Sequence, residues 1–419
     1  MTCTSFPAIN PHKAALLFLL LAAQPTTLDA APGKATINSD QVLVIDGKKV
    51  FPIGFTTPPP PDGKTPDGKN AIKELSDAGA TFLRTGGRWT SENLHREEKY
   101  LDAAARYGMH TLPYLREYAS VKSPEQEAAL RAMINRFKNH PGLGAWKGED
   151  EPEWGKHPIP PLERAYQIIK ETDPNHPVVI IHAPRGTVES LRQYNGTGDI
   201  FGEDIYPIAY PPAEHSLLPN KTLSVVGDHT RMIMEAVEHK KPVWMVLQIS
   251  WSGVLKPGHT LRFPTFPEER FMTYEAIING ARGLIYFGGN IESSLSEADE
   301  KLGWNWTFWK RVLRPVIEEI GAKGPLYPAL VAADSTQAIK VNVPKEIEFC
   351  VRENGNDLFI LACKNAGATA KAEFTGLPAS ATKGEVMFES PRTLQAKDGK
   401  FSDWFAPFEV HVYRFHAGQ

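Results

Sequence analysis

A chain of 419 residues, 42% hydrophobic and 23% charged, has the balance of an ordinary globular protein and enough length for one large core plus a smaller domain. Its formal net charge of −3 supplies no basic field, so neither nucleic acid nor an anionic membrane surface is expected as a partner.

The N-terminal stretch reads as a targeting segment. His12 and Lys13 precede the apolar run Ala14–Ala23, and small residues follow around Ala30 and Ala31. A run of about ten apolar residues suits a signal-peptide core and falls short of the ~20 needed to span a bilayer. Residues 1–30 are therefore expected to be a signal peptide, the mature chain to be secreted or periplasmic, and no membrane association to remain after cleavage. Cys3 would leave with this segment.

From Val50 onward, short apolar runs rich in β-formers alternate with amphipathic stretches. The runs are 50–55, 81–85, 109–115, 143–147, 178–182, 200–205, 243–249 and 283–287. Between them the pattern predicts helices over 70–78, up to about 106, after Ser123-Pro124, over 162–171, from Val188, up to about 239, over 267–280 and over 306–320. Ser123 caps and Pro124 occupies the first turn of the third of these. Eight strand–helix pairs in about 270 residues fit a (β/α)8 barrel over residues 31–324. Continuous apolar strands fit a parallel barrel covered by helices. A doubly wound sheet would carry a Gly-rich phosphate loop after its first strand, and the sequence has none.

After Gly324-Pro325 the rhythm changes to strands over 338–343, 347–351, 358–363, 370–374, 384–388 and 410–415. Residues 325–419 thus read as a small antiparallel β-sandwich. Cys350 and Cys363 flank a predicted hairpin turn at Asn354-Gly355-Asn356-Asp357. Register decides whether they form a disulfide or stay as two buried thiols.

A barrel places its chemistry at the C-terminal ends of its strands. Polar side chains stand at nearly every such exit: Arg84, Arg116, Glu117, Glu149, Asp150, Glu151, His182, Glu203, Asp204, Tyr206 and Gln248. Trp89, Trp146, Trp154, Trp251, Trp304 and Trp306 lie in or beside the same loops, where aromatic faces suit sugar rings. The stretch Trp146-Lys147-Gly148-Glu149-Asp150-Glu151-Pro152 resembles the Asn/Asp-Glu-Pro signature that ends the fourth strand of clan A glycoside hydrolases, in which the Glu is the general acid/base. With Asp204-Ile205-Tyr206-Pro207 and Gly280-Ala281-Arg282-Gly283, the resemblance extends over residues 40–417. It is nearest to uncharacterised bacterial barrel glycosidases distantly similar to the family 42 β-galactosidases.

The resemblance implies a hydrolase of O-glycosidic bonds in an oligo- or polysaccharide, working without a cofactor or metal. Glu151 is the expected acid, and Asp150, which replaces the usual Asn, is close enough to share a proton with it. Retaining enzymes of the clan carry a nucleophilic Glu at the end of strand seven, but here Gln248 stands there, and an amide cannot attack an anomeric carbon. Strand six offers a substitute. Alternation lets only one of Glu203 and Asp204 face inward, and Asp204 shares a face with Tyr206. Asp204 is therefore the expected second catalytic carboxylate, with inversion favoured over retention. Arg84, Asp150, His182, Glu203, Tyr206, Gln248, Trp251 and Trp304 are the expected sugar-binding residues. The alternative is a degenerate barrel that binds carbohydrate without cleaving it. No zinc-protease motif or Gly-x-Ser-x-Gly elbow is present.

Overall fold

A computed structural model describes residues 33–249 and 258–416. The proposed signal segment and Trp251 lie outside the described residues.

The apolar runs form eight parallel strands: β1 (Ile53–Thr56), β2 (Phe82–Thr85), β3 (His110–Pro113), β4 (Trp146–Asp150), β5 (Val178–His182), β6 (Ile200–Glu203), β7 (Trp244–Gln248) and β8 (Gly283–Phe287). One parallel ladder runs β7-β8-β1-β2-β3 and a second runs β4-β5-β6. Parallel bridges Thr111–Leu143 and Tyr114–Lys147 join β3 to β4, and Phe201–Val243 and Asp204–Val246 join β6 to β7. The ring of strands is thereby closed.

Helices separate successive strands: α1 (Ala71–Ala78), α2 (Ser91–Arg106), α3 (Pro124–Phe137), α4 (Ile159–Thr172), α5 (Val188–Arg192), α6 (Val225–Ala236) and α7 (Phe266–Ile278), with helical turns from Trp306 leading into α8 (Arg314–Ile320) after the last. α3 shows why they form. The Ser123 hydroxyl accepts from Gln126 N, Pro124 starts the first turn, and Glu125 and Glu127 face the positive helix end. Leu130, Met133, Ile134 and Phe137 then recur at helical spacing on the buried face.

Alternate strand residues fill the ring. Phe82, Leu112, Ala145, Val179, Ile181, Trp244, Val246 and Ile285 form one buried cluster, in which the Phe82 and Trp244 rings meet edge-on at 5.7 Å. Gly144 makes room for Phe82: a Cβ there would lie 2.7 Å from the Phe82 ring. A three-stranded antiparallel sheet (Ala35–Ile37, Leu43–Ile45, Lys48–Val50) adds Ala35, Leu43 and Ile45 to the same cluster. The sequence pattern did not anticipate this sheet.

The C-terminal region is antiparallel throughout. Its strands are β9 (Lys340–Val341), β10 (Ile347–Asn354), β11 (Asp357–Lys364), β12 (Ala370–Thr375), β13 (Lys383–Met387), β14 (Thr393–Gln395), β15 (Lys400–Phe405) and β16 (Val410–His416). A five-stranded sheet β10-β11-β16-β13-β14 and a three-stranded sheet β9-β12-β15 enclose a core of Leu358, Ile360, Phe374, Phe401, Phe405, Tyr413 and Phe415. The hairpin turn falls where predicted, with Asn354 opposite Asp357. Strands β14 and β15 were not anticipated. Phe359, Leu361, Cys363, Val410 and Val412, on the alternate face, join the main cluster that contains α7. This explains why α7 is buried continuously from Glu269 to Ile278. Arg270 of α7 bonds Glu319 of α8 (2.9 Å) and the Val410 carbonyl (2.8 Å), tying helix layer to sheet.

Register also settles the cysteines. Cys350 lies opposite Leu361 and Cys363 opposite Glu348, and both are free thiols. The Cys363 thiol donates to Glu275 Oε2 at 2.7 Å.

Candidate active site

The strand ends open into a cavity of about 370 Å³ lined by Thr56, Arg84, Lys147, Asp150, Glu151, Trp154, Arg185, Asp204, Tyr206, His215 and Phe287, among others. Its polar wall is built by an irregularity in β4. The β4–β5 register shifts between Lys147 and Asp150, so that both side chains face the cavity. Lys147 Nζ pairs with Asp150 Oδ1 (3.0 Å) and Arg84 Nη2 with Asp150 Oδ2 (3.3 Å). Burial alone would raise the Asp150 carboxyl, but Lys147 and Arg84 outweigh it and hold its pKa below the usual value. Asp150 therefore stays ionised and does not share a proton with Glu151, contrary to the expectation from their adjacency. Beneath this pair, the Tyr114 ring carries Arg84, Arg116 and Lys147 at 4.8, 4.9 and 5.1 Å from its centroid.

Glu151 follows directly. Its φ of +48° is left-handed, an uncommon conformation for a residue with a Cβ, and Glu151 N donates to the Ile181 carbonyl at 2.7 Å. Thr57 and Arg116, at the ends of β1 and β3, share the left-handed conformation, with φ of +47° and +50°. Such backbone clusters at functional sites.

Glu151 and Asp204 line the same cavity and perturb each other electrostatically. Burial raises the Glu151 pKa and Asp150 raises it further. Asp204 is pushed up strongly by burial and then by the charges of Glu151 and Asp150, with Tyr206 acting in the opposite direction. Two neighbouring carboxyls in a poorly solvated site oppose each other's ionisation, so the pair holds on to a proton more strongly than an ordinary carboxyl does. Tyr206 completes the wall, stacked on Phe287 at 5.3 Å between centroids.

The remaining expected residues have other places. Glu203 points away from the cavity, with Oε2 3.0 Å from His229 Nδ1 on α6, and His229 Nε2 is 2.8 Å from Ser216 Oγ. His182 is fully buried on the outward face of β5, stacked on Phe201, and burial pushes its pKa down to about 3. Gln248 is also fully buried. Its Oε1 accepts from Ile208 N (2.8 Å) and its Nε2 donates to Ile208 O (3.0 Å), so its amide is fully engaged by backbone. Trp304 packs edge-on against Phe55 at 5.6 Å, inside the core. His182, Glu203, Gln248 and Trp304 are therefore corrected from sugar contacts to structural groups. Trp89, Trp146 and Trp306 are likewise buried, and Trp154, 51% exposed, is the described tryptophan that lines the cavity. Sequence reasoning overlooked Lys147, Arg185 and His215. Strand alternation from Ala145 would have pointed to Lys147.

Among the described residues no group of three or more His, Cys, Asp or Glu side chains could hold a metal ion, and no helix is long and apolar enough to cross a membrane.

No family model and no curated protein matches the chain. Solved structures do. A glycoside hydrolase family 5 protein from Bacteroides vulgatus superposes with a TM-score of 0.62 at 14% identity, over 92% of this chain and 95% of that one. An Anoxybacillus α-amylase gives 0.55 at 10% identity, over 88% and 98%, and a GH30 endoxylanase from Clostridium papyrosolvens gives 0.51 at 11%, over 92% and 98%. At these identities the likeness is one of fold.

Proposed function

We propose that the protein is a glycoside hydrolase whose catalytic pair is Glu151 and Asp204. The observation that carries this reading is the placement of both carboxyls on the wall of one strand-end cavity, where burial and each other's charge raise them. Glycosidic cleavage needs one carboxyl that gives a proton to the leaving oxygen and one that accepts a proton or attacks. A pair that holds on to one proton is stocked for both tasks. When a sugar separates the two groups, Asp150 beside Glu151 favours its protonated form, and the Tyr206 hydroxyl favours ionised Asp204. Glu151 then acts as the acid. Asp204 takes a proton from the water that attacks the anomeric carbon, with inversion.

Inversion is preferred because Gln248 occupies the strand-seven position and its amide is engaged by Ile208. An inverting pair needs about 6.5–9.5 Å between carboxyls, room for the attacking water. The mutual perturbation of the two carboxyls also suits a second reading, a carbohydrate-binding barrel in which the pair does no chemistry. The Asp150-Glu151-Pro152 motif supports the hydrolase reading and, more distantly, kinship with family 42 β-galactosidases. The apolar run Ala14–Ala23 supports export to the periplasm or beyond.

Screening the wild type, Glu151→Gln and Asp204→Asn on a panel of oligosaccharides decides between these readings. The hydrolase reading expects cleavage by the wild type that both variants lose. Wild-type turnover in both variants refutes the assigned pair, and calorimetric binding without cleavage favours the binding protein.

A further inference from the structure

The cations around the cavity fall into two groups. Arg84 and Lys147 are both engaged by Asp150. Arg185 and Arg116 have no carboxylate within salt-bridge distance among the described residues, and segment 250–257 contains no Asp or Glu to supply one. Both guanidinium groups are nevertheless held in place. Arg185 is half-buried, lies 4.5 Å over the exposed Trp154 ring and lines the same cavity as Glu151. Arg116 is also half-buried, lies over Tyr114 and donates from Nε to the Gly86 carbonyl at 3.1 Å. It lines an adjoining recess of about 200 Å³, and Arg84 borders both spaces. Stacking occupies the face of a guanidinium and leaves its in-plane N–H edge for a planar anion. The edge offers donors only, which matches an acceptor-only group better than a hydroxyl. In a chain of net charge −3, two arginines near Asp150 and Glu151 without a salt-bridge partner among the described residues do not follow from bulk composition.

We infer that the glycan bound in this cleft is acidic, with Arg185 in the cavity and Arg116 in the adjoining recess each receiving an anionic substituent, a uronate carboxylate or a sulfate ester. The inference rests on the carbohydrate reading of the site but not on catalysis. An acceptor-only group docked at Arg185 lies beside Trp154, which contributes an apolar face to the same subsite. Arg116 offers a second anchor in the adjoining recess, which Arg84 joins to the cavity.

Calorimetry on full-length Glu151→Gln protein, which would hold ligand without turnover, tests this. The probes are tetrasaccharides of galacturonate, glucuronate and mannuronate, their carboxyl-reduced neutral counterparts, and sulfated forms of those neutral chains. At least one acidic probe is expected to bind about tenfold or more tightly than its neutral counterpart, and the arm that does so identifies carboxylate or sulfate. Adding Arg185→Gln should remove most of that tenfold preference by weakening acidic probes far more than neutral ones, while Arg185→Lys should restore part of it. Equal binding of acidic and neutral probes, no binding of any acidic probe, or an equal loss for both classes in Arg185→Gln would overturn the inference. If an acidic probe binds with this preference and wild-type protein leaves it intact, the acidic-glycan inference stands and the hydrolase reading fails.

Discussion

The exits of β4 and β7 occupy equivalent places on the ring and have opposite fates. At β4, a register shift and a left-handed Glu151 open the chain into the cavity, with charged groups packed around it. At β7, Gln248 makes a two-bond, strand-like pairing with Ile208 and closes the position off. Topology puts a residue at the mouth of a barrel, but the neighbouring backbone decides whether its side chain is available. On the proposed reading, a barrel that uses its fourth strand for chemistry and its seventh for loop anchoring takes its second carboxylate from elsewhere, and Asp204 beside β6 is the candidate.

The most damaging change to the active side of this comparison is Glu151→Gln. Loss of a general acid removes about 10²–10⁴-fold of rate, and Asp204→Asn should match it within an order of magnitude. Thermal unfolding should show little loss of stability in either variant, because each removes a poorly solvated carboxyl. Loss of folding instead of turnover would assign the pair a structural role.

The closed side predicts the reverse. Gln248→Glu restores the side chain that clan A enzymes carry at this strand, yet it should add no turnover. It replaces the donor to Ile208 O with a second acceptor in a fully buried place, at a cost of about 1–3 kcal/mol in denaturant titrations. A gain in activity would show that Gln248 is freer than its bonds to Ile208 imply.

The pH dependence sharpens the contrast between Asp150 and its neighbours. Glu151 and Asp204 have raised pKa values, so their contribution to stability is present below the ordinary carboxylate range and is lost as pH rises through the folded values. Asp150 is lowered, and its contribution is present above its ordinary value of 3.8 and lost as pH falls through the folded one. Melting temperatures across pH should therefore fall less steeply on the alkaline side in Asp204→Asn than in the wild type. An unchanged slope contradicts the retained proton. Turnover should fall in step as pH rises and the pair gives up its proton.

The smallest expected effect is at Trp154. Trp154→Ala should raise KM roughly two- to tenfold, the worth of one aromatic contact. Its melting temperature should stay near that of the wild type, because the ring is exposed. A large loss of stability would make Trp154 a packing residue like Trp304.

Much of the ring was legible because its strands are short apolar runs and its helices carry their own start signals, as at Ser123. β4 was read about three residues early. Its second half, Lys147-Gly148-Glu149-Asp150, is polar, and the ion pairs of Lys147 and Asp150, the Tyr114 hydroxyl on Glu149 and the register shift make that sequence tolerable inside a strand. In the candidate site, Glu151, Asp204, Tyr206, Arg84 and Asp150 were found from strand exits. His182 and Glu203 were misplaced although alternation was available: each shares parity with outward residues of its strand, Ile180 and Phe201. Gln248 and Trp304 were beyond such rules, because a loop backbone and a distant aromatic cluster decide them. Lys147 was passed over because a lysine reads as exposed until an anion is seen beside it.

The most direct test of the account is the infrared difference spectrum between wild type and the double variant Glu151→Gln, Asp204→Asn at neutral pH. If Glu151 and Asp204 retain a proton, the wild type carries a protonated-carboxyl C=O band that the variant lacks. Identical spectra in that region would mean that both carboxyls are ionised, and the catalytic assignment built on their retained proton would fall.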